Sequence, residues 1–237
     1  MKDEIIPKSK WEFNSEVANS FDDMLERSIP NYLDMRSLCT SLAVRFAKAE
    51  TSIVDLGCSS GGSLEPIIKA VGNSCSYVGV EISEPMRVEA IKRLDKYVGM
   101  DIQIRNLDLR SDYPVELASV TLSILTLQFV PIEYRQQILA NVFDSTIPGG
   151  VFIIVEKILG RDAKLNDLLV DLYYELKGKN GYTEEQINSK RKSLEGILVP
   201  VTSEWNEQLL VNAGFDHVEC FWRSLNFSGW IALKNDK

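Results

Sequence analysis

Short apolar segments alternate with longer amphipathic segments between residues 51 and 158. Five of the apolar segments have the length of strands: TSIVDL (51–56), SYVGVEI (76–82), DIQIRNL (101–107), SVTLSIL (119–125) and VFIIVEKI (151–158). Three intervening segments have helical periodicity: SLEPIIKAVG (63–72), EPMRVEAIKRLDKYV (84–98, begun by Ser83) and PIEYRQQILANVF (131–143). This alternation predicts βαβ units and a doubly wound, Rossmann-like α/β fold with a mostly parallel sheet.

The flanking segments have a different pattern. Residues 13–48 indicate two helices, and 162–213 is mostly helical, with a capping box at T183-E-E-Q186. Strand-like runs near 215–222 and 225–234 predict an antiparallel last strand, and PGG (148–150) predicts a turn. We expect one domain over 1–237, with a helical preface at 1–48 and a helical insertion over the site at 160–200.

Composition narrows the classes of function. The chain has 237 residues, a net charge of −8 and a pI near 4.9, which argues against direct nucleic acid binding. No apolar run is long enough to span a bilayer and the first residues lack the apolar core of a signal peptide, so we expect a cytoplasmic protein without membrane contact. Four scattered cysteines and a single histidine, His217, predict neither a disulfide framework nor a metal site.

The segment DLGCSSGG (55–62) follows the first predicted strand, where ligands bind in doubly wound sheets. Gly57 and Gly61 permit a tight turn and close approach of a ligand to the backbone. Glu81, at the end of the second strand, is placed to accept hydrogen bonds from ribose hydroxyls. Asp108 follows the third strand, where its carboxylate or the neighbouring backbone can meet an adenine amine. Asp55 is placed to brace the turn or to hold a charged amino group.

The same turn excludes some ligands. It lacks the G-K-[ST] of a phosphate-binding loop and the G-x-G-x-x-G of nicotinamide enzymes, so an adenosyl ligand without a pyrophosphate fits better, as in S-adenosylmethionine. Gly57 to Gly61 also match the G-x-S-x-G of a hydrolase nucleophile elbow, with Ser59 preceding His217. That fold requires several strands before the elbow, whereas the first 50 residues here are predicted to be helical. We expect His217 to be a surface residue at the start of a late strand.

Several segments together resemble carboxy-S-adenosyl-L-methionine synthases from about residue 11 to residue 235. They are WEF (11–13), FDDMLERSIPNY (21–32), DLGCSSGG (55–62), LTLQF (125–129), PGG (148–150), EK (156–157), NGYTEEQINSKR (180–191), AGF (213–215) and LNF (225–227). Many methyltransferases share the glycine turn, so the specificity of the resemblance lies in the flanking segments. The resemblance implies a class I methyltransferase fold that uses S-adenosylmethionine as a substrate, with prephenate as carboxyl donor, phenylpyruvate as by-product and a homodimer.

The resemblance also implies roles for individual residues. Tyr32 matches a tyrosine that contacts the nucleoside ligand, and Arg191 matches an arginine that clamps the new carboxylate. The remaining matches are the turn residues Gly57, Cys58 and Ser59, the ribose position Glu81 with Ile82, the adenine position Asp108 with Leu109, and Ile124. A guanidinium suits the role assigned to Arg191, because it binds a carboxylate through two hydrogen bonds. Without the resemblance, the sequence alone predicts that Arg191 is a solvated arginine on a polar helix.

Two positions depart from the family pattern. Family members typically carry asparagine where Ile124 stands and an aspartate-asparagine pair where Glu81 and Ile82 stand, so two amide contacts are missing here. The identity of the donor is therefore open. Two other functions also stay open, namely an ordinary small-molecule methyltransferase and a binding protein without catalysis.

Overall fold

A mixed sheet forms the centre of the protein in this computed structural model, which describes residues 1–236. Its strands are β1 (Ser52–Leu56), β2 (Ser76–Val80), β3 (Ile102–Arg105), β4 (Ala118–Ile124), β5 (Thr146–Leu159), β6 (Val201–Thr202), β7 (His217–Ser224) and β8 (Phe227–Leu233). The strand order is β3-β2-β1-β4-β5-β8-β7, and β6 pairs with the end of β5. Strands β1 to β5 are parallel, and β8 is antiparallel to both of its neighbours. The predicted fold class is confirmed.

Eight α-helices accompany the sheet in the described range. They are α1 (Ser15–Ser28), α2 (Tyr32–Phe46), α3 (Leu64–Val71), α4 (Glu84–Leu94), α5 (Ile132–Ser145), α6 (Ala163–Lys179), α7 (Glu184–Leu194) and α8 (Ser203–Ala213). Side-chain caps fix several of the starts. The Ser83 hydroxyl accepts a hydrogen bond from the amide of Met86, and Thr183 and Gln186 form the predicted capping box. None of these helices is both long enough and apolar enough to cross a bilayer.

The sheet is buried on both faces because successive strand residues point to opposite sides. In β1, Ile53 packs into one apolar cluster and Val54 into the other, and both are at most 1% exposed. A third cluster joins Trp11 of the N-terminal segment to Phe21 of α1 and Met86 of α4. Burial of each such side chain contributes roughly 1.5–3 kcal/mol to the stability of the fold. The hydrophobic effect therefore holds the N-terminal segment in place as it holds the core.

Two local predictions need correction. PGG (148–150) is not a turn between helix and strand, because β5 already begins at Thr146. Gly149 adopts a left-handed φ of 67° and donates its amide to Lys234 O at 2.8 Å, while the pairing with β4 shifts register, so the residues form an irregularity within the strand. The helix predicted to run to 98 ends at Leu94.

The order of the strands opens a crevice at the carboxyl edge of the sheet. From β1 the chain proceeds outward to β2 and β3, and it then returns to place β4 on the other side of β1. The loops after β1 and β4 therefore diverge and leave a crevice at the carboxyl ends of the strands, which is where open α/β sheets bind ligands.

Candidate functional site

Two adjoining cavities open at the carboxyl edge of the sheet. We call the first the lysine-lined cavity, since Lys157, Lys177 and Lys190 contribute to its wall. The second is the carboxylate-lined cavity, whose wall includes Glu81 and Asp108. Five residues line both cavities: Phe13, Gly57, Ser59, Leu125 and Phe129. One elongated ligand can therefore occupy both.

The glycine turn after β1 forms the shared wall. Gly57 has a φ of 75°, and a Cβ atom there would lie 2.4 Å from Cγ2 of Thr126, so only glycine fits. The amides of Gly57 and Cys58 donate to Val80 O at 2.8 and 2.9 Å, which ties the turn to the end of β2. Ser59 has a φ of 48° despite its side chain. Such strain at a cavity wall is typical of ligand-binding turns.

Glu81 lies at the end of β2 and is 8% exposed. Its carboxylate accepts hydrogen bonds from the amides of Ser59 at 3.0 Å and Ser83 at 2.7 Å. Burial raises the pKa of Glu81, and these backbone hydrogen bonds oppose the rise. A carboxylate oxygen accepts more than one hydrogen bond, so Glu81 keeps acceptor capacity for a ligand hydroxyl in the carboxylate-lined cavity.

Asp108 lies in the loop after β3. Its carboxylate accepts hydrogen bonds from the amide of Arg110 at 3.0 Å and from the guanidinium of Arg110 at 2.6 Å, and this pairing lowers its pKa. The carboxylate is thus already engaged, which leaves the neighbouring backbone as the contact for a purine. Leu109 and Ile82 line the same cavity, and Ile82 is 58% exposed.

Asp55 is buried behind the glycine turn and lines neither cavity. Neither of its carboxylate oxygens has a hydrogen-bond partner among the described residues. Burial raises its pKa to about 7, the positive charge of Arg36 opposes the rise, and the negative charge of Glu81 adds to it. An ionised carboxylate that is buried without a hydrogen-bond donor is costly, which is the reason that its pKa is raised.

Tyr32 and Arg36 of α2 form the wall of the lysine-lined cavity beside the glycine turn. The Arg36 guanidinium donates to Gly62 O and to Ser63 Oγ, and it lies 5.8 Å from the centre of the Tyr32 ring. Burial raises the pKa of Tyr32, so its phenol stays protonated. This wall offers a hydroxyl and a cation to a polar ligand.

The structure brings most of the predicted site residues together. Those that line one or both cavities are Tyr32, Gly57, Cys58, Ser59, Glu81, Ile82, Asp108, Leu109 and Ile124. Gly61 lines neither cavity; it has a φ of 76° and donates its amide to Cys58 O, so it closes the turn. The roles assigned to these residues stay predictions.

Arg191 is not brought to the cavities of its own chain. Its side chain is 46% exposed, and the carboxylate of Glu195, the residue that follows the end of α7, lies 3.5 Å away. The preceding residue, Lys190, faces the lysine-lined cavity and is 3% exposed. Consecutive helical residues point about 100° apart, and α7 turns Lys190 toward the cavity and Arg191 away from it.

Sequence reasoning missed four basic residues of the lysine-lined cavity: Arg36, Lys157, Lys177 and Lys190. Lys157 and Lys190 lie inside segments that carry the family resemblance, so a weak signal was present. Lys177 has no such signal, because only the fold turns this residue of a polar helix inward. Leu125 also lines the wall, with a φ of 61°.

The topology excludes a hydrolase site formed by Ser59 and His217. His217 begins β7, which is parallel to β1, so it lies at the amino edge of the sheet, whereas Ser59 follows the carboxyl end of β1. His217 is exposed and pairs with Asn235 at 3.1 Å, as expected of a surface residue. All four cysteines are free thiols, and the described chain holds no group of three or more His, Cys, Asp or Glu residues suited to a metal ion.

The chain is similar to known proteins both in sequence and in fold. A methyltransferase domain model matches residues 53–150. The chain is 36% identical over 98% of its length to the carboxy-S-adenosyl-L-methionine synthase of Methylococcus capsulatus, covering 99% of that protein. It is 37% identical over 96% of its length to the synthase of Pseudoalteromonas atlantica, covering 94% of it. An O-methyltransferase family protein from Burkholderia thailandensis has a similar fold, with a TM-score of 0.65 and 17% identity over 94% of this chain and 60% of that longer chain.

Proposed function

Because the chain belongs to the carboxy-S-adenosyl-L-methionine synthase family, we propose that it converts S-adenosylmethionine and prephenate to carboxy-S-adenosylmethionine, phenylpyruvate and water. The observation that carries the proposal is the extent of the similarity. The methyltransferase model matches only 53–150, whereas the similarity to the synthases covers 98% of the chain. It therefore includes the flanking segments that supply α2, α6 and α7 to the lysine-lined cavity.

The two cavities support a nucleoside ligand. The carboxylate-lined cavity offers Glu81 to ribose hydroxyls and the backbone beside Asp108 and Leu109 to adenine. The lysine-lined cavity offers Tyr32 and Arg36 to the amino acid portion. S-adenosylmethionine, as substrate, would supply the methyl group that becomes carboxymethyl. The protein contributes proximity and charge placement, since a bound pair of substrates reacts without the entropy cost of encounter.

Arg191 enters the proposal through a second copy of the chain. Its guanidinium is exposed and lies outside the cavities of its own chain, while the family resemblance assigns the matching arginine to the new carboxylate. We therefore propose a homodimer in which Arg191 of one copy approaches the cavity of the other. The proposal also includes a cytoplasmic location and no direct contact with nucleic acid. The product would feed a carboxymethylation pathway.

One assay tests the function. The purified protein is incubated with S-adenosylmethionine, with and without prephenate, and the nucleosides are analysed by mass spectrometry. We expect a product heavier than S-adenosylmethionine by one carbon dioxide, formed only when prephenate is present. Accumulation of S-adenosylhomocysteine with a small-molecule acceptor, and no carboxylated nucleoside, would instead identify an ordinary methyltransferase.

A further inference from the structure

Three lysine ammonium groups point into one cavity from three separate elements. Lys157 lies near the end of β5, Lys177 on α6 and Lys190 on α7. Lys177 is 6% exposed and Lys190 is 3% exposed, although lysine is among the residues that are least often buried. Such a convergence of buried cations is costly unless anions compensate it.

Aromatic rings surround the three ammonium groups. The Nζ atom of Lys157 lies 4.7 Å from the centre of the Tyr173 ring, and that of Lys177 lies 5.0 Å from the centre of the Tyr182 ring. The Nζ atom of Lys190 lies 4.6 Å from the centre of the Tyr182 ring. These ring faces stabilise the cations partially but supply no hydrogen-bond acceptor.

Only one of the three lysines has an anionic partner. The Asp3 carboxylate is fully buried and accepts hydrogen bonds from Lys190 Nζ and from the Tyr182 hydroxyl. Asp3 is fixed in place, because its amide donates to Asp23 at 2.7 Å and its carbonyl accepts from Arg27 at 2.8 Å. It neutralises Lys190 and is not free to move to the other two lysines.

Lys157 and Lys177 are left uncompensated. Within residues 1–236, no carboxylate lies within ion-pair distance of either Nζ atom. Arg27, the other cation beside Tyr182, is already paired with Asp23 at 3.1 Å. When they are protonated, Lys157 and Lys177 add two positive charges that no side chain of the described residues neutralises, and the aromatic wall of Tyr173 and Phe227 adjoins them.

We infer that Lys157 and Lys177 form the binding site for a small dicarboxylate with an apolar ring, which the cavity holds beside the glycine turn. Two ammonium groups match two carboxylates, and Tyr173 and Phe227 match the apolar part of such a ligand. This inference rests on the proposed function, because it assigns the carboxyl donor to a place in the same cavity. Lys190 acts through Asp3 to position Tyr182 and is not itself a ligand.

Binding of prephenate to the protein loaded with S-adenosylhomocysteine tests the site by titration calorimetry. Lys177→Met and Lys157→Met remove one charge each and keep most of the apolar stem. Lys179→Met is the matched control, since Lys179 lies two residues further on α6 and its side chain is 76% exposed. We expect each site variant to weaken prephenate binding roughly 10- to 100-fold, as befits loss of a charged hydrogen bond, while Lys179→Met has no effect.

Two further measurements separate this inference from the proposed function. Phenylpyruvate, which has one carboxylate, should lose less affinity than prephenate in each site variant, and binding of S-adenosylhomocysteine should stay within about twofold. If the native protein binds neither prephenate nor malonate, or if both site variants bind them as the native protein does, the inference is overturned. Lysine-dependent binding of prephenate without formation of a carboxylated nucleoside would support the inference and overturn the proposed function alone.

Discussion

The carboxylate of Glu81 accepts a hydrogen bond from the backbone amide of Ser59 at 3.0 Å, so the end of β2 holds the turn that follows β1. The second carboxylate oxygen accepts from the amide of Ser83 at 2.7 Å, just before α4. A single buried acidic side chain thus fixes the backbone of the turn and lines the cavity into which we expect ribose to bind. A substitution of Glu81 is therefore expected to change both the conformation of the turn and the affinity for a ligand.

Glu81→Gln should weaken binding of S-adenosylhomocysteine roughly tenfold. The amide nitrogen of glutamine is a donor, so it would face the amide of Ser59 or Ser83 instead of accepting from it. Calorimetric titration measures the change. Glu84→Gln is the control, because Glu84 lies at the exposed start of α4 and pairs with Arg87. Equal affinity in both variants would contradict the role of Glu81.

Gly57→Ala should destabilise the protein by about 1–3 kcal/mol and abolish nucleoside binding, since alanine is strained at this φ and its Cβ would collide with Thr126. Denaturant unfolding measures the first effect. Gly178→Ala on α6 is the opposite control: Gly178 has no neighbour within 4 Å of a Cβ position, so alanine should stabilise the helix by roughly 0.5–1 kcal/mol. A Gly57→Ala protein as stable as the native one would refute this account of the turn.

The strands, helices and glycine turn were predictable because each depends on local sequence. The alternation of apolar runs with amphipathic segments predicted the sheet, and Ser83 and Thr183 marked the starts of α4 and α7. The irregular start of β5 was missed, because pairing of Gly149 with Lys234 is a contact across 85 residues that no local pattern reveals.

The site was predictable where it follows strand ends and unpredictable where it depends on helix orientation. Glu81 and Asp108 reach the cavity because the ends of parallel strands share one edge. The direction in which α6 and α7 point their lysines depends on tertiary packing, so Lys177 gave no signal and Lys190 was overlooked beside Arg191. The division of the chain into one domain with a helical insertion over the site stays a prediction.

Arg191→Ala should weaken binding of carboxy-S-adenosylmethionine by about 2 kcal/mol or more and leave S-adenosylhomocysteine binding nearly intact, because only the former has the added carboxylate. The side chain of Arg191 is exposed, so its removal leaves no cavity that would destabilise the fold. Lys192→Ala, at the adjacent exposed position, is the control. Sedimentation of the native protein as a monomer, or equal loss of affinity for both ligands, would contradict the proposed contribution from a second copy.

The donor site should also respond to pH. Burial, together with the positive charges of Lys190 and Lys157, lowers the pKa of Lys177 to about 7, and burial lowers the pKa of Lys157 to about 8. The groups that face Lys177 are Lys157, Lys190, Arg27, Asp3, Tyr173 and Tyr182. Only a protonated lysine attracts a carboxylate, so both cations are present in acid and are lost as pH rises through these two pKa values.

Prephenate affinity should therefore be highest below pH 7 and should fall progressively between about pH 7 and pH 9. A bound dianion favours the charged lysines and raises both pKa values, so binding near pH 8 should take up protons. Calorimetry in two buffers of different ionisation enthalpy measures that uptake directly. Lys179→Met should keep the pH dependence, whereas Lys177→Met should remove the part of it near pH 7 and leave the part near pH 8, because Lys157 still titrates there. An affinity that rises with pH, or a flat profile in the native protein, would mean that neither lysine titrates at the donor site.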